Sequence, residues 1–276
     1  MNYVELDIPV GSETLAEILT AELAELPFES FATEKGVLKA YIVQDALADC
    51  KEDADGILRS YGVVNARYVQ IESQNWNALW ESNFDKVHIA GRAVIRAPFH
   101  DPEPDAELEV VIVPRMAFGT GHHSTTALMV EALLECDCRG LQVLDMGSGT
   151  GVLAIVALRR GAAKADAVDI DDAACESCRE NAANNGTAER IEVIMGDVRS
   201  VAARRYDLIV ANINRNILLR DMESYAAMLL SGGALFVSGF LEQDVAAMEE
   251  CAHAHGFAAD RIRLREGWAA VEFRKL

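Results

Sequence analysis

The residues whose types and spacing could hold a small molecule lie between positions 143 and 152. This segment reads Val-Leu-Asp-Met-Gly-Ser-Gly-Thr-Gly-Val. Its apolar start predicts a strand that ends at Asp145, and its last residue, Val152, begins a predicted helix. Glycines between the two elements let the backbone turn sharply and let a ligand approach without interference from Cβ atoms. The turn presents amide groups at a helix N-terminus, which predicts a nucleotide-like ligand.

The order of the glycines separates two classes of nucleotide ligand. A dinucleotide fingerprint reads G-x-G-x-x-G/A, but Val152 occupies its sixth position. Methyltransferase loops read acid-x-G-x-G-x-G, which Asp145, Gly147, Gly149 and Gly151 match. S-adenosylmethionine has no pyrophosphate, so an acidic residue beside the loop is tolerated and can help to hold the cation. The pattern favours S-adenosylmethionine, with Asp145, Gly147 and Gly149 among the cofactor-binding residues.

Acidic residues follow the next two predicted strands. Asp169 lies 22 residues after Gly147, at the end of a strand, where a carboxylate can accept two hydrogen bonds from a ribose diol. The role of helix N-cap is assigned to Asp171 or Asp172 instead. Asp197, after the third strand, is placed either to meet the adenine amine or to serve as an ordinary turn aspartate.

Asn212 ends the fourth predicted strand, where its side chain is expected beside the transferred methyl group. Enzymes that methylate amide or nucleobase nitrogen commonly carry Asn/Asp-Pro-Pro-aromatic at this point. Here Ile213 and Asn214 replace the prolines, which argues against glutamine and adenine methylation. Asn212 is therefore a candidate for orienting the acceptor, and no obligatory catalytic base is identified.

Histidines and cysteines raise the alternative of a metal site. Two adjacent histidines lie in the glycine-containing segment 117–126, which leads into a predicted helix. Adjacent side chains rarely converge on one ion. The close cysteine pairs, Cys136 with Cys138 and Cys175 with Cys178, lack a second pair at zinc spacing. We expect reduced thiols and no metal.

The predicted elements bring these residues to one edge of a sheet. From residue 141 onward, strands alternate with helices, which predicts a doubly wound, Rossmann-like parallel α/β sheet. The strands are expected at 141–146, 165–170, 191–195, 206–211 and 234–239. Two further strands, 261–264 and 268–273, are too close for a crossover helix and should pair antiparallel.

The first 72 residues predict a separate, small ferredoxin-like α+β domain. Its strands are expected at 3–10, 29–33, 36–43 and 64–71, and its helices at 12–26 and 46–61. Residues 73–86 predict a linker helix, on which Trp76, Trp80 and Phe84 share one face. The remainder, 87–276, predicts the methyltransferase domain, which opens with strands at 87–97 and 108–113.

Composition limits the partners of the chain. Of 276 residues, 51% are hydrophobic, which is enough for a core, and the net charge is −19. Such a charge opposes direct contact with nucleic acid or an anionic membrane, and it either attracts a basic partner or serves solubility alone. No apolar run reaches the roughly 20 residues of a membrane span, and the N-terminus lacks the features of a secretory signal. We expect a cytoplasmic protein.

Over residues 74–276 the chain resembles the ribosomal protein L11 methyltransferase family (PrmA type). The matching motifs are Phe-Gly-Thr-Gly-x-His-x-Thr-Thr at 118–126, the loop at 145–151, Gly-Ala-Ala-Lys-Ala at 161–165, Asn-x-x-x-Asn-Gly at 181–186, Ala-Asn-Ile at 211–213, Ser238-Gly239 with Gln243, and Trp268. The first of these is the most specific, because generic methyltransferases lack it. Ser124 departs from the usual proline, and Asn214-Arg215 from small apolar residues.

The resemblance implies a function and a set of contacts. It implies transfer of methyl groups from S-adenosylmethionine to lysine and N-terminal amines of ribosomal protein L11, with cofactor contacts at Thr126, Gly147, Asp169 and Asn212. It also implies that the N-terminal domain recognises the substrate, and we expect a monomer. Alternatives are a related methyltransferase with another substrate, a nicotinamide oxidoreductase, and a non-catalytic ribosome-binding factor.

Overall fold

The computed structural model describes residues 3–71, 85–114 and 121–276. Contacts divide the chain into two compact units, Met1–Phe84 and Asp85–Leu276. The predicted linker helix at 73–86 lies almost entirely outside the described residues, as do Trp76, Trp80 and Phe84, and the described Asp85 and Lys86 are not helical. Among the described residues, no helix is both long and apolar enough to span a membrane.

Within residues 3–71, the described part of the first unit, the chain forms a four-stranded antiparallel sheet with two helices. Its elements are β1 (Tyr3–Pro9), α1 (Glu13–Leu23), β2 (Phe28–Glu34), β3 (Val37–Val43), α2 (Gln44–Ser60) and β4 (Arg67–Ile71). The strand order is β2-β3-β1-β4, the ferredoxin-like arrangement predicted. In β1 the side chains of Val4, Leu6 and Ile8 alternate into the core, because successive side chains of a strand face opposite sides. Ser12 caps α1 by accepting the amide of Leu15.

The second unit contains a seven-stranded sheet of order β10-β9-β8-β11-β12-β14-β13 and a small sheet of order β5-β6-β7. Its strands are β5 (Val87–Ile89), β6 (Ala93–Arg96), β7 (Leu108–Val111), β8 (Gln142–Met146), β9 (Lys164–Asp169), β10 (Ile191–Met195), β11 (Tyr206–Asn212), β12 (Leu229–Leu241), β13 (Phe257–Arg265) and β14 (Trp268–Lys275). Its helices are α3 (Ser124–Glu135), α4 (Val152–Arg159), α5 (Asp172–Asn184), α6 (Arg215–Met228) and α7 (Val245–Ala254).

The large sheet confirms the predicted doubly wound fold. Strands β8 to β12 pair in parallel, and β14 pairs antiparallel with both β12 and β13. In β11 the four consecutive residues from 208 to 211 are buried, so both faces of the strand are covered. One buried cluster packs α3 and α4 on one face, and another packs α6 and α7 on the opposite face. The carboxyl ends of β8, β9, β10 and β11 therefore meet at one edge.

Several predicted element boundaries are wrong, and two of the errors lie in the strands at 87–97 and 64–71. The single strand expected at 87–97 is a hairpin of β5 and β6, because Ala90 and Gly91 adopt left-handed backbone angles (φ of 52° and 64°) and reverse the chain. The strand expected from residue 64 begins at Arg67, and Val64 is 84% exposed. Both errors come from apolar runs that satisfy the strand pattern, and in the first a local turn interrupts the strand.

Candidate active site

A cavity of about 810 Å³ opens at the carboxyl-end edge of the large sheet. Ligands of open α/β sheets bind at this edge, outside the ends of the parallel strands. Its walls come from the turns after β8, β9, β10 and β11, the first turn of α3, the start of α6, and the beginnings or ends of β12 and β14. The lining residues are His123, Thr125, Thr126, Met146, Gly147, Ser148, Gly149, Val152, Leu153, Val168, Asp169, Ile170, Gly196, Asp197, Val198, Asn212, Ile213, Asn214, Ile217, Arg220, Asp221, Gly239 and Trp268.

The glycine turn between β8 and α4 forms one wall of the cavity. Gly147, Gly149 and Gly151 have φ values of 71°, 52° and 77°, a conformation that side chains with a Cβ rarely adopt. A Cβ on Gly147 would collide with the side chain of Ile213, and one on Gly151 with Cys178. The glycine pattern thus reflects both the backbone conformation and the close packing around the turn.

Asp169, at the end of β9, is held rigidly beside this turn. Its Oδ2 accepts a hydrogen bond from the amide of Gly149 (2.8 Å), and its Oδ1 accepts one from the amide of Asp171 (3.0 Å). Each carboxylate oxygen can accept a further hydrogen bond. The arrangement leaves Asp169 on the cavity wall with capacity for a ribose diol. Asp171, whose side chain accepts from the amide of Ala173, is the N-cap of α5, one of the two candidates expected.

Asp145 lies behind the glycine turn and is absent from the cavity lining. It is 1% exposed, and its Oδ2 accepts the amide of Ala154 in the first turn of α4 (2.9 Å). Burial raises the pKa of Asp145 to about 7, and the charge of Asp169 adds to this effect. The side chain supports the start of α4 and the turn above it. A direct cofactor contact of Asp145 stays a prediction.

Asn212 and Thr126 meet on another wall. The Asn212 Nδ2 donates to Thr126 Oγ1 at 3.4 Å, although the residues are 86 positions apart. Its Oδ1 is buried and has no hydrogen-bond partner among the described residues. An unpaired buried acceptor is unfavourable by roughly 1–3 kcal/mol, so this oxygen is suited to accept an N–H donor from a bound molecule.

The first turn of α3 is arranged around His123. Sequence patterning predicts the helix from 127, but it begins at Ser124, and the His123 imidazole accepts the amide of Thr125 as an N-cap. The His123 ring also packs edge-on against Trp268, with ring centroids 4.7 Å apart. These contacts explain the role of this histidine without a metal, and Trp268 enters the cavity from β14. Of the matched segment 118–126, residues 118–120 lie outside the described residues.

Charged groups make the cavity negative overall. The carboxylates of Asp169, Asp197 and Asp221 line it, together with the guanidinium of Arg220. Arg220 is paired with Asp221 (2.7 Å). Asp197 caps a short 3-10 helix, and the guanidinium of Arg199 lowers the pKa of its carboxyl. This geometry is compatible with both interpretations of Asp197, whereas the net negative lining suits a cationic ligand.

Cysteines in the second unit are buried or partly buried thiols. Cys175 and Cys178 lie in α5, and burial raises the pKa of the Cys178 thiol to about 12. Within residues 3–71, 85–114 and 121–276, no three histidine, cysteine, aspartate or glutamate side chains are grouped to hold a metal ion.

Trp268, Arg220 and Asp221 line the cavity but carry no local pattern that predicts a site. Only Trp268 had a signal, its place in the family resemblance.

Comparisons with known proteins agree with this geometry. The model of the family "Ribosomal protein L11 methyltransferase (PrmA)" matches residues 12–276. Relatives named ribosomal protein L11 methyltransferase include one from Porphyromonas gingivalis, 45% identical over 95% of this chain and 91% of the relative, and one from Bacteroides fragilis, 39% identical over 99% of both chains.

A solved structure shows the same fold. The crystal structure of a ribosomal protein L11 methylase from Lactobacillus delbrueckii subsp. bulgaricus has a TM-score of 0.64 and 26% identity, and the match covers 70% of this chain and 99% of that chain. The glycine turn, the carboxylate of Asp169 and the unpaired oxygen of Asn212 all fit S-adenosylmethionine and an amine. The chain therefore belongs to the ribosomal protein L11 methyltransferase (PrmA) family and is an S-adenosylmethionine-dependent protein methyltransferase.

Proposed function

We propose that this enzyme methylates lysine side chains and the N-terminal amine of ribosomal protein L11. The observation that carries the proposal is the buried, unpaired Oδ1 of Asn212 on the cavity wall. The names of the relatives support the identity of the substrate.

We assign the cofactor to the part of the cavity bounded by the glycine turn and Asp169. Gly147 and Gly149 let the ligand approach closely because they have no Cβ, Asp169 binds its ribose, and Thr126 and Asn212 lie at its reactive end. Asp145 acts from behind the turn. When bound, S-adenosylmethionine supplies an electrophilic methyl group on its sulfonium, so the protein contributes mainly positioning.

The acceptor amine must be neutral when it reacts. A free lysine has a pKa of about 10.4, which apolar surroundings lower and nearby carboxylates raise. Ile213 and Trp268 supply apolar surface beside Asn212. The neutral side chain of Asn212 can accept one N–H of the amine without stabilising its protonated form as a carboxylate would. No side chain is assigned as an obligatory base.

The N-terminal unit carries a disproportionate share of the negative charge. Residues 1–84 contain 15 acidic and five basic residues, a net charge of −10 out of −19 for the chain. We infer that residues 1–72 form the substrate-recognition domain, 73–86 the linker and 87–276 the catalytic domain, and that a basic protein is recruited by charge. The same charge opposes direct binding to nucleic acid or a membrane, and we place the enzyme in the cytoplasm as a monomer.

Isothermal titration with S-adenosylhomocysteine, on wild type and Asp169→Ala, tests the cofactor site. We expect micromolar binding that the substitution weakens by about 1–3 kcal/mol, the effect of losing a buried polar partner. Mass spectrometry of ribosomal protein L11 after incubation with enzyme and S-adenosylmethionine then tests the substrate. Each added methyl group raises the mass by about 14 Da. Cofactor binding without any such increase would keep the assignment to the enzyme class and reject this substrate.

A further inference from the structure

The turn between β13 and β14 has an unusual residue at its first position. Glu266 and Gly267 both have positive φ values, 51° and 77°, and Arg265 pairs with Trp268 across them. Two-residue hairpin loops of this kind favour Asn-Gly, Asp-Gly or Gly-Gly. A glutamate at the first position is strained. Lys35 has the same conformation before Gly36 in the β2–β3 turn, so what distinguishes Glu266 must be the contacts of its side chain.

The side chain of Glu266 makes one such contact. Its Oε2 accepts a hydrogen bond from the hydroxyl of Ser124 at 2.5 Å, across 142 positions of sequence. Ser124 is the first residue of α3 and is buried (8% exposed). Asparagine or aspartate at 266 would suit the turn but has one methylene fewer with which to reach this hydroxyl.

The two residues joined by this hydrogen bond each lie next to the cavity. Two positions after Ser124 comes Thr126, whose hydroxyl accepts the Nδ2 of Asn212. Two positions after Glu266 comes Trp268, whose ring packs edge-on against His123 and lines the cavity. The contact thus links the walls that carry the acceptor-orienting amide and the aromatic ring.

Further ion pairs attach the rest of α3 to β13. Arg265 pairs with Glu131 (2.6 Å), and Arg263 pairs with Glu135 (2.9 Å). Glu131 and Glu135 lie about two and three turns beyond Ser124 along α3, and neither pair involves a residue that lines the cavity. They can hold the helix against β13 without the Glu266 contact, so the additional hydrogen bond at the first turn is available for a more local task.

We propose that Glu266 is a positioning residue for methyl transfer: through Ser124 it fixes the first turn of α3, and so the relative placement of Thr126, Asn212 and Trp268. The inference rests on the proposed function for its catalytic readout. It concerns residues outside the cofactor contacts. The stability of the turn favours Asn or Gly at position 266, whereas catalysis requires a side chain long enough to reach Ser124.

The test compares Glu266→Asn with Glu266→Gln. The first gives the turn its preferred Asn-Gly sequence and removes the reach to Ser124, and the second keeps an oxygen at the same distance. We expect Glu266→Asn to keep or raise Tm while kcat for ribosomal protein L11 falls about fivefold to twentyfold, and Glu266→Gln to retain at least half of the wild-type kcat. A purely structural role would make Tm and kcat fall together.

Double-variant analysis tests the path through Ser124. Ser124→Ala should lower kcat as much as Glu266→Asn, and the double variant should lose no more than either single one. Glu135→Gln is the matched control, because it weakens an ion pair of the same helix far from the first turn and should leave kcat within twofold. Independent, multiplying effects of the two single variants would overturn the proposal, as would a Glu266→Asn enzyme with wild-type kcat.

A second readout does not need the protein substrate. The chain has three tryptophans, so 5-fluorotryptophan labelling gives few ¹⁹F signals, and Trp268→Phe assigns the relevant one. With S-adenosylhomocysteine bound, we expect Glu266→Asn to shift or broaden the Trp268 signal and Glu266→Gln to leave it as in wild type. An unchanged signal in both variants would refute the positioning role. If wild type fails to methylate ribosomal protein L11, the proposed function fails, and the ¹⁹F comparison still decides this inference.

Discussion

In the proposed function, the two ends of the Asn212 amide have different roles. Its Nδ2 is held by Thr126 while its Oδ1 is left buried and unpaired on the cavity wall. The donor contact fixes which way the amide points, and the free acceptor is then available to an incoming amine. A carboxylate in this position would bind an amine more tightly but would stabilise the protonated, unreactive form.

Replacing Asn212 tests this division. Asn212→Ala should lower kcat/KM for the protein substrate by about tenfold to a hundredfold, the effect of 1.4–2.7 kcal/mol in transition-state binding. Asn212→Asp should instead move the rising limb of the pH–kcat profile to higher pH, because a carboxylate raises the pKa of the bound acceptor amine. Profiles measured from pH 6.5 to 9.5 check both, and identical profiles for wild type and Asn212→Asp would exclude contact with the amine.

Asp145 makes stability depend on pH in a defined direction. Its folded-state pKa of about 7 lies above the unfolded value of about 3.9, so the folded protein holds this proton more tightly. The free energy of unfolding should therefore fall as pH rises from about 4 to 7 and change little from this source above 7. The loss attributable to Asp145 is on the order of 2–4 kcal/mol.

Asp145→Asn provides the comparison. The amide oxygen can still accept the Ala154 amide but cannot ionise, so the variant should gain stability relative to wild type between pH 5 and pH 8. Urea unfolding at the two pH values measures the difference. An equal difference at both would show that this carboxyl does not titrate in the folded protein.

At the scale of elements, the strand–turn–helix from β8 to α4 combines two constraints that are usually hard to separate. The turn needs left-handed backbone angles, and it also needs space against neighbouring side chains. Gly147 is subject to both constraints, since a Cβ there would press on Ile213, the residue after Asn212. Gly186, after α5, has a similar φ of 65° but open space around it.

Gly147→Ala and Gly186→Ala therefore form a matched pair. Both should lose about 1–2 kcal/mol of stability through backbone strain, but only Gly147→Ala displaces the cavity wall. We expect it to weaken S-adenosylhomocysteine binding by at least about tenfold, a 1.4 kcal/mol effect, while Gly186→Ala binds as wild type does. Titration calorimetry and thermal unfolding of both variants supply the two measurements. Equal affinities would mean that the collision is relieved by movement of Ile213 alone.

At the scale of the whole molecule, charge is distributed unevenly. The first 84 residues account for a net −10, whereas the following 192 account for −9. A field concentrated on the unit assigned to substrate recognition can accelerate encounter with a basic protein without placing carboxylates at the acceptor amine. In this proposal, recruitment and chemistry use separate parts of the chain.

Ionic strength should affect recruitment of the protein substrate but not the chemical step. Raising ionic strength from about 0.05 M to 0.4 M shortens the Debye length well below 10 Å, so KM for the protein substrate should rise severalfold, about five to ten times, with little change in kcat. The Kd for S-adenosylhomocysteine is the internal control and should stay within about twofold. A salt-independent KM would contradict recruitment by charge.

Local sequence was sufficient for much of the molecule. The alternation of apolar strands with helices predicted the doubly wound sheet, and the glycine spacing with Asp169 and Asn212 predicted residues that the structure places on one cavity. These features depend on near neighbours: a positive φ, a strand period or a residue at the end of a strand leaves a pattern in a short window. The β5–β6 hairpin was not predicted, because Ala90 adopts a left-handed conformation that is rare for alanine.

Tertiary structure alone decided the rest of the site. That Asn212 keeps one oxygen unpaired beside Thr126 and that Glu266 reaches Ser124 are consequences of strand order. Contacts across 86 and 142 positions form only when β8, β11, β12 and β14 are assembled side by side. A local pattern carries no information on such distant pairings, because the free energy that selects them comes from burying both faces of the whole sheet.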